Sequence, residues 1–239
     1  MINKLKNIIR NNATVFKVLW TYREKEGFDR RVLRRGDDML IEGYPRSANS
    51  FAYYTFLLSQ NNPLKVGNHT HSPSQFALAR KYKIPAMLVI RQPVDAVLSY
   101  ILYDQNLSAL TALERYVSFH KPLIANPTGF VVAPFDEVIT DFGESMRRLN
   151  SHFNCSFVVF SHDEANVKKI YHHMAEIRKK RILLRNIKDE HLELMETLPS
   201  NEKETQKKAR RSEVTDPKLA PLLLEAEECY QALLKLTNA

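Results

Sequence analysis

Met39-Leu40-Ile41-Glu42-Gly43-Tyr44-Pro45 is a short apolar run closed by a glycine and a proline, and it reads as a buried strand passing into a loop. Arg46-Ser47-Ala48-Asn49-Ser50 comes next, and Ser47, Asn49 and Ser50 are each of a type that caps a helix N-terminus. The segment 51–60, FAYYTFLLSQ, then continues at helical apolar density. The first unit is therefore strand, loop, helix.

The chain repeats this grammar. Pro85-Ala86-Met87-Leu88-Val89-Ile90 is an uninterrupted apolar run, as expected of a strand covered on both faces. Arg91-Gln92-Pro93 ends it, Pro93 suits the first turn of a helix, and VDAVLSYILYDQ (94–105) carries that helix on. A third strand is expected at Gly129–Pro134, a long amphipathic helix over Phe135 to Phe153, and a fourth strand at Ser156–Phe160. Alternating strands and helices make an α/β fold, a mostly parallel sheet flanked by helices.

The last third has a different texture. Residues 163–198 read as helical and rich in Lys, Arg and Glu. Pro199 to Pro217 is so highly charged that it reads as a solvated connection, a loop or a mobile helix. Leu219 to Leu236 has leucines at close to helical spacing. The 239 residues are read as one domain, with 1–36 as an N-terminal helical extension and 163–239 as a mainly helical C-terminal part.

Composition limits the partners. With 44% hydrophobic and 26% charged residues, the chain is neither disordered nor fibrous. Thirty-five basic against 27 acidic residues give a net charge of +8, which points to an anionic partner. The basic residues are scattered without interleaved aromatics, and the α/β alternation matches no common nucleic-acid module, so a small anion is expected rather than nucleic acid. Two cysteines, Cys155 and Cys229, make no disulfide framework, and a reducing cytoplasmic location follows as the expectation. The N-terminus has neither the ~20 apolar residues of a membrane span nor the pattern of a secretory signal. Leu5, Ile8 and Ile9 fall on one face of a helix expected to pack on the domain rather than rest on a membrane.

Ligands of parallel α/β sheets bind at the C-terminal ends of the strands, where the 44–50 loop lies. Backbone N–H groups at a helix N-terminus attract anions, and Arg46 adds a full charge. The loop lacks the second glycine and the Lys-Ser/Thr pair of nucleoside-triphosphatases, and no G-x-G-x-x-G occurs. Arg91, at the end of the next strand, and Ser99, on the helix after it, could grip a second phosphate. Each piece alone also reads as an ordinary capped helix or a surface arginine. Between the two units lies Asn68-His69-Thr70-His71-Ser72-Pro73, where a histidine has the ordinary pKa of a general base. No acidic residue or cysteine stands near enough in sequence to complete a three- or four-ligand set, so no metal is expected. His172 and His173 sit in a charged helical stretch and are expected to face solvent.

The order of these parts resembles the sulfotransferase family that uses 3′-phosphoadenosine 5′-phosphosulfate. That family's first loop reads Tyr-Pro-(Lys/Arg)-Ser-Gly-Thr-Thr, and its second motif reads R-x-P-x-D-x-x-x-S. Arg91, Pro93, Asp95 and Ser99 stand in register with the second motif, and His71 and Pro73 match a Lys-Thr-His-x-Pro segment. The resemblance implies a fold of the P-loop nucleotide-binding type. It implies that Arg46, Ser47, Ala48, Asn49, Ser50 and Phe51 hold the 5′-phosphosulfate, and that Arg91 and Ser99 hold the 3′-phosphate. It makes His71 the general base, with His69 (at the family's second lysine) as the other catalytic candidate beside Arg46. Lys207 and Lys208, with Arg210 and Arg211, stand in for a C-terminal Arg-Lys-Gly segment that covers the 3′-phosphate. Ala48 replaces a glycine, which restricts the loop if that position needs positive φ. The implied reaction moves a sulfuryl group to a hydroxyl or amine of a small-molecule, glycan or lipid acceptor, without a metal, and releases adenosine 3′,5′-bisphosphate. A phosphotransferase with a degenerate loop, a nucleotide-binding pseudoenzyme and a basic nucleic-acid-binding protein are the competing readings.

Overall fold

The computed structural model describes residues 13–21, 32–185 and 201–238; Leu5, Ile8, Ile9 and the stretch 186–200 lie outside them. Helix α1 (Ala13–Thr21) leads to strand β1 (Met39–Gly43), helix α2 (Asn49–Ser59), the two-residue strand β2 (Val66–Gly67) and helix α3 (Ser74–Tyr82). Strand β3 (Ala86–Ile90), helices α4 (Pro93–Tyr103) and α5 (Ala109–Ile124) and strand β4 (Val131–Pro134) follow. Helices α6 (Phe135–Thr140), α7 (Phe142–Phe153), α8 (Glu164–Arg185), α9 (Asn201–Val214) and α10 (Ala220–Leu234) complete the described chain.

The four strands form one parallel sheet in the order β2-β1-β3-β4. Side chains alternate across each strand, so the sheet divides its residues between two cores. Leu40, Leu88, Ile90 and Val132 face one layer, with Phe76, Val97, Ile101, Tyr116 and Leu233 from α3, α4, α5 and α10. Met39, Ile41, Met87, Val89 and Val131 face the other, with Phe56, Phe142, Met146 and Ile170 from α2, α7 and α8. Phe16 of α1 is buried in the first layer, and Lys17 Nζ donates to the Tyr82 hydroxyl at 3.0 Å. Among the described residues no helix is long and apolar enough to cross a membrane.

The chain leaves β1 for one neighbour and β3 for the opposite one. The turn after β1 and the turn after β3 therefore diverge side by side at a topological switch point, where such sheets open a crevice.

Three expectations are corrected. Residues 156–160 form no strand; they run as extended chain with Val158 and Val159 exposed. Side-chain amides satisfy their backbone instead. Asn150 bonds both the N–H and the C=O of Phe157 (3.1 and 2.7 Å), and Gln60 does the same for Val158 (2.9 and 3.1 Å). The long helix over 135–153 is two helices broken at Asp141, where the backbone turns to φ −151° and ψ 72°. Gly143 begins the second one close against the extended segment, since a Cβ there would lie 2.6 Å from the Phe160 carbonyl oxygen. The charged stretch after residue 200 is no solvated connection. It folds as α9, which buries Val214 fully, sends Arg210 Nη1 to the Ile101 carbonyl at 3.2 Å and places Arg211 3.8 Å from Asp95 of α4.

Candidate functional site

The 44–48 turn is anchored at its start. Tyr44 is buried, its hydroxyl donates to the Ala112 carbonyl at 2.8 Å, and Tyr100 and Tyr116 meet its ring edge to face. Just before it, Gly43 lets β1 and β3 close up; a Cβ there would stand 2.2 Å from the Val89 carbonyl oxygen. The Asn49 amide Nδ2 donates back to the Tyr44 carbonyl at 2.8 Å and ties the two ends of the turn together.

Arg46 and Ala48 have φ of 68° and 70°, in the left-handed region, whereas Ser47 between them does not. Backbone that alternates hand in this way turns successive N–H groups toward a common concavity, the geometry of an anion nest. Ala48 thus adopts the conformation that glycine holds at little cost, and the loop keeps its shape through strain. Ala48→Gly is expected to raise the unfolding free energy by about 0.5–1 kcal/mol, read as a higher urea midpoint at unchanged slope.

Ser47, Asn49 and Ser50 do not cap α2 as their types suggest. The N-cap position is Ala48, and no side chain caps the helix. Asn49 is spent on the turn, Ser50 Oγ pairs with His69 Nε2 at 2.9 Å, and the Ser47 hydroxyl is buried. The first amides of α2 are left for a ligand rather than a side chain. Phe51 points the other way, into the second core layer, with its ring 5.4 Å from that of Tyr171.

The second turn meets the first. Arg91 Nη1 donates to the Arg46 carbonyl at 2.9 Å, and the Arg91 guanidinium lies 3.8 Å over the Phe135 ring. Arg46 Nε donates to Ser99 Oγ at 3.1 Å, and its guanidinium stacks 5.1 Å over Tyr103. Burial pushes the Arg46 pKa down to about 10, and the neighbouring Arg91 charge adds to that fall. Burial lowers Arg91 as well, against the pull of Asp95, Glu204 and Asp136. No carboxylate lies within 4 Å of Arg91 among the described residues. Three buried polar atoms have no protein partner here: Ser47 Oγ, Asn49 Oδ1 and Arg91 Nε. Two enclosed cations beside two orphaned donors, Ser47 Oγ and Arg91 Nε, make a site that an anion would complete, whereas Asn49 Oδ1 can only accept.

The histidines differ. Asn68 Nδ2 donates to the Val66 carbonyl at 3.1 Å, so its Oδ1 is the acceptor for His69 Nδ1 at 2.5 Å. His69 therefore carries its proton on Nδ1, and its Nε2 accepts from Ser50. His71 Nδ1 lies 2.7 Å from the Gly43 carbonyl, which can only accept, so this ring too is protonated on Nδ1. Its Nε2 has no protein partner among the described residues, and its side chain is 27% exposed. Of the two, His71 presents a free lone pair. Both have positive φ, 54° and 50°, and so belong to a strained turn.

Behind His71 lies Glu42, a residue the sequence reading passed over. It is fully buried in β1, and its Oε1 is 3.5 Å from His71 Nδ1. Of the expected C-terminal cations, Lys207 reaches the neighbourhood of Arg91 through Glu204, which bonds Lys207 at 2.5 Å and interacts electrostatically with Arg91. Lys208 is exposed on the same helix. Arg210 and Arg211 dock α9 on α4. His172 is exposed, but His173 is half-buried with its ring 5.3 Å from that of Tyr54, so only one of that pair faces solvent. Among the described residues no group of three or more His, Cys, Asp or Glu side chains could hold a metal ion.

No protein-family model matches this chain. No curated protein matches it either. Among solved structures it is similar to a mouse sulfotransferase, SULT7A1, complexed with PAP, at 11% sequence identity over 82% of this chain and 91% of that one, with a TM-score of 0.44. The functional reading rests on the residues of this chain.

Proposed function

We propose that the protein is a sulfotransferase that uses 3′-phosphoadenosine 5′-phosphosulfate and acts on a hydroxyl or amine of a small-molecule, glycan or lipid acceptor. The observation that carries this reading is the meeting of the two turns. Arg91 bonds Arg46 and Arg46 bonds Ser99, with unpartnered Ser47 and Arg91 donors at the same place and His71 held by the Gly43 carbonyl at the start of the first turn. One cationic turn at each end suits a nucleotide with charge at both its 5′ and 3′ positions. The donor supplies an activated sulfuryl group: its S–O bond to the 5′-phosphate breaks as the acceptor oxygen or nitrogen bonds to sulfur.

The chain's own residues supply the rest. The loop amides and Arg46 hold negative charge at the first turn, where oriented donors in a dry site count most. Arg91 and Ser99 distinguish a nucleotide with a 3′-phosphate from one without. His71 Nε2 takes the acceptor's proton, its ring held by Gly43 so that the lone pair stays on Nε2. His69, bonded at both nitrogens, orients Ser50 and is not the base. Lys207 covers the second turn from α9, with Lys208 free to reach solvent-side phosphate oxygens. Ala48 holds a positive φ that glycine would adopt freely, which supports a loop of intact shape.

Arg91→Ala is expected to weaken binding of adenosine 3′,5′-bisphosphate by about 1.5–3 kcal/mol, roughly 10–150-fold in Kd. Titration calorimetry reads this directly. An affinity within threefold of wild type would remove Arg91 from the nucleotide site. Thermal-shift measurements with ATP plus magnesium, set against the bisphosphate, separate a phosphotransferase from this reading.

A further inference from the structure

β1 is a central strand whose five residues are all buried, and one of them is Glu42. A carboxylate there is costly unless it is matched, and the chain matches it closely. Glu42 Oε2 accepts from the Thr70 N–H at 2.7 Å and from the Thr70 hydroxyl at 2.8 Å, and Oε1 accepts from the Gly43 N–H at 3.1 Å. The fourth neighbour is His71 Nδ1, 3.5 Å from Oε1. Two backbone N–H groups, a hydroxyl and a ring N–H surround the two oxygens, a donor set that suits an ionised carboxylate.

Removing an apolar residue from the middle of the sheet needs a reason beyond packing. A Leu or Val at 42 would fill the strand, whereas Glu42 spends its acceptors on the turn that carries both histidines. Thr70, which sits between them, gives it two bonds. The groups facing His71 are Glu42 and the Gly43 carbonyl from β1 and the His69 ring, 6.0 Å away on its own turn. The Arg46 guanidinium is engaged with Ser99 and Tyr103 instead. Glu42 is thus the anion that answers a positive charge arising on His71.

We propose that Glu42 is a positioning residue for the base: it fixes the 68–71 turn through Thr70 and stabilises the imidazolium that forms when His71 Nε2 accepts the acceptor's proton. The proton moves from the acceptor to Nε2 as the new bond to sulfur forms, and Glu42 stays ionised throughout, with Nδ1–H shared between it and the Gly43 carbonyl. This rests on the reading of His71 as the base. Burial pushes the Glu42 carboxyl up, while His71, Thr70 and Gly43 oppose that rise.

The test pairs kinetics with a measurement on the unaltered protein. Transfer is followed from labelled donor to 2-naphthol, hexanol and hexylamine, with hydrolysis by water as the acceptor-free reaction. Glu42→Gln is expected to lower kcat by at least ~100-fold, the scale seen when a histidine loses its orienting carboxylate. The acceptor KM changes less than threefold, the acid limb of the pH profile moves to lower pH, and Glu42→Asp recovers part of the loss. Affinity of Glu42→Gln for adenosine 3′,5′-bisphosphate, within threefold of wild type, reports that the loop has folded. Turnover within threefold of wild type with an unmoved acid limb overturns the proposal. Because that variant keeps one acceptor oxygen and sets an NH2 group against donors at the other position, the wild-type Glu42 carboxyl is also followed by isotope-edited NMR. An ionised carboxyl at pH 7 is the expected result; a protonated carboxyl overturns the proposal. If the wild-type protein transfers no sulfuryl group at all, the reading of the site fails, and the NMR measurement still decides whether Glu42 is an anion beside His71.

Discussion

His71→Ala is expected to transfer sulfuryl groups about 10²–10⁴-fold more slowly than the wild-type protein, the usual contribution of a positioned general base. Its affinity for adenosine 3′,5′-bisphosphate should stay within threefold. The separation follows from geometry. In the proposed site the two turns would hold the phosphates through Arg46, Arg91, Ser99 and backbone amides, and none of those groups bonds the His71 ring. The ring's contribution is the lone pair on Nε2, left free because the Gly43 carbonyl keeps the proton on Nδ1 at 2.7 Å. Initial rates with labelled donor and calorimetric titration of the bisphosphate give the two readouts. A variant that turns over at the wild-type rate would pass the proton to His69 or to water, and a variant that loses the bisphosphate would put His71 in the nucleotide site.

Acid should destabilise the fold through a buried histidine packed against the Tyr44 anchor of the first turn. His120 of α5 is fully buried among Tyr44, Tyr116 and Phe119, and its Nδ1 bonds the Tyr116 carbonyl at 2.9 Å. Its Nε2 is buried without a partner. Burial disfavours the charged ring and brings its pKa from 6.5 down to about 4, with the Tyr116 carbonyl pulling weakly the other way. The unfolded chain takes up this proton near pH 6.5, and the folded one does not until about pH 4. Above pH 6.5 the stabilisation is complete; as the pH falls through that window the unfolded state gains, at about 1.4 kcal/mol per pH unit, or roughly 3 kcal/mol in all. Glu42 and Glu227, whose carboxyls are raised by burial, act with the opposite sign. The comparison is therefore made against His120→Phe, which keeps a ring in the same pocket and cannot titrate. Urea unfolding at pH 7 and pH 4 should show the wild type losing roughly 3 kcal/mol more than this variant. Equal losses would mean that His120 reaches solvent and is protonated in the folded chain.

The three long strands were legible because a strand covered on both faces is an apolar run; 86–90 and 131–134 are unbroken, and 39–43 is interrupted only by Glu42 before its closing glycine. β2 was not, because two residues carry no periodicity. The run at 156–160 misled for an instructive reason. Its residues have strand composition, but the side-chain amides of Gln60 and Asn150 occupy the backbone groups that a neighbouring strand would have used. No local pattern shows that substitution. At the site, the residue types at Arg46, Arg91 and Ser99 were readable, while the handedness of the loop was not. Ser47 and Ser50 look like caps until the positive φ at Ala48 turns them away from the helix end. Glu42 left a trace that a closer reading would use: it is the one charged residue inside the first apolar run. What it touches depends on Thr70 and His71, 28 and 29 positions along the chain, and only the folded turn brings them together. The packing of α9 on α4 was hidden in the same way. Eight of its 14 residues are charged, and docking depends on where Arg210 and Arg211 find a carbonyl and a carboxylate.

The turn after β1 and the turn after β3 are proposed to hold opposite ends of one doubly phosphorylated nucleotide. Titration calorimetry of the wild-type protein with adenosine 3′,5′-bisphosphate and, separately, with adenosine 5′-monophosphate tests it most directly. The bisphosphate is expected to bind at least about tenfold more tightly, the difference that one charged hydrogen-bonding group supplies, and Arg91→Ala should erase that preference. Equal affinity for the two nucleotides, or no heat from either at millimolar concentration, would contradict it.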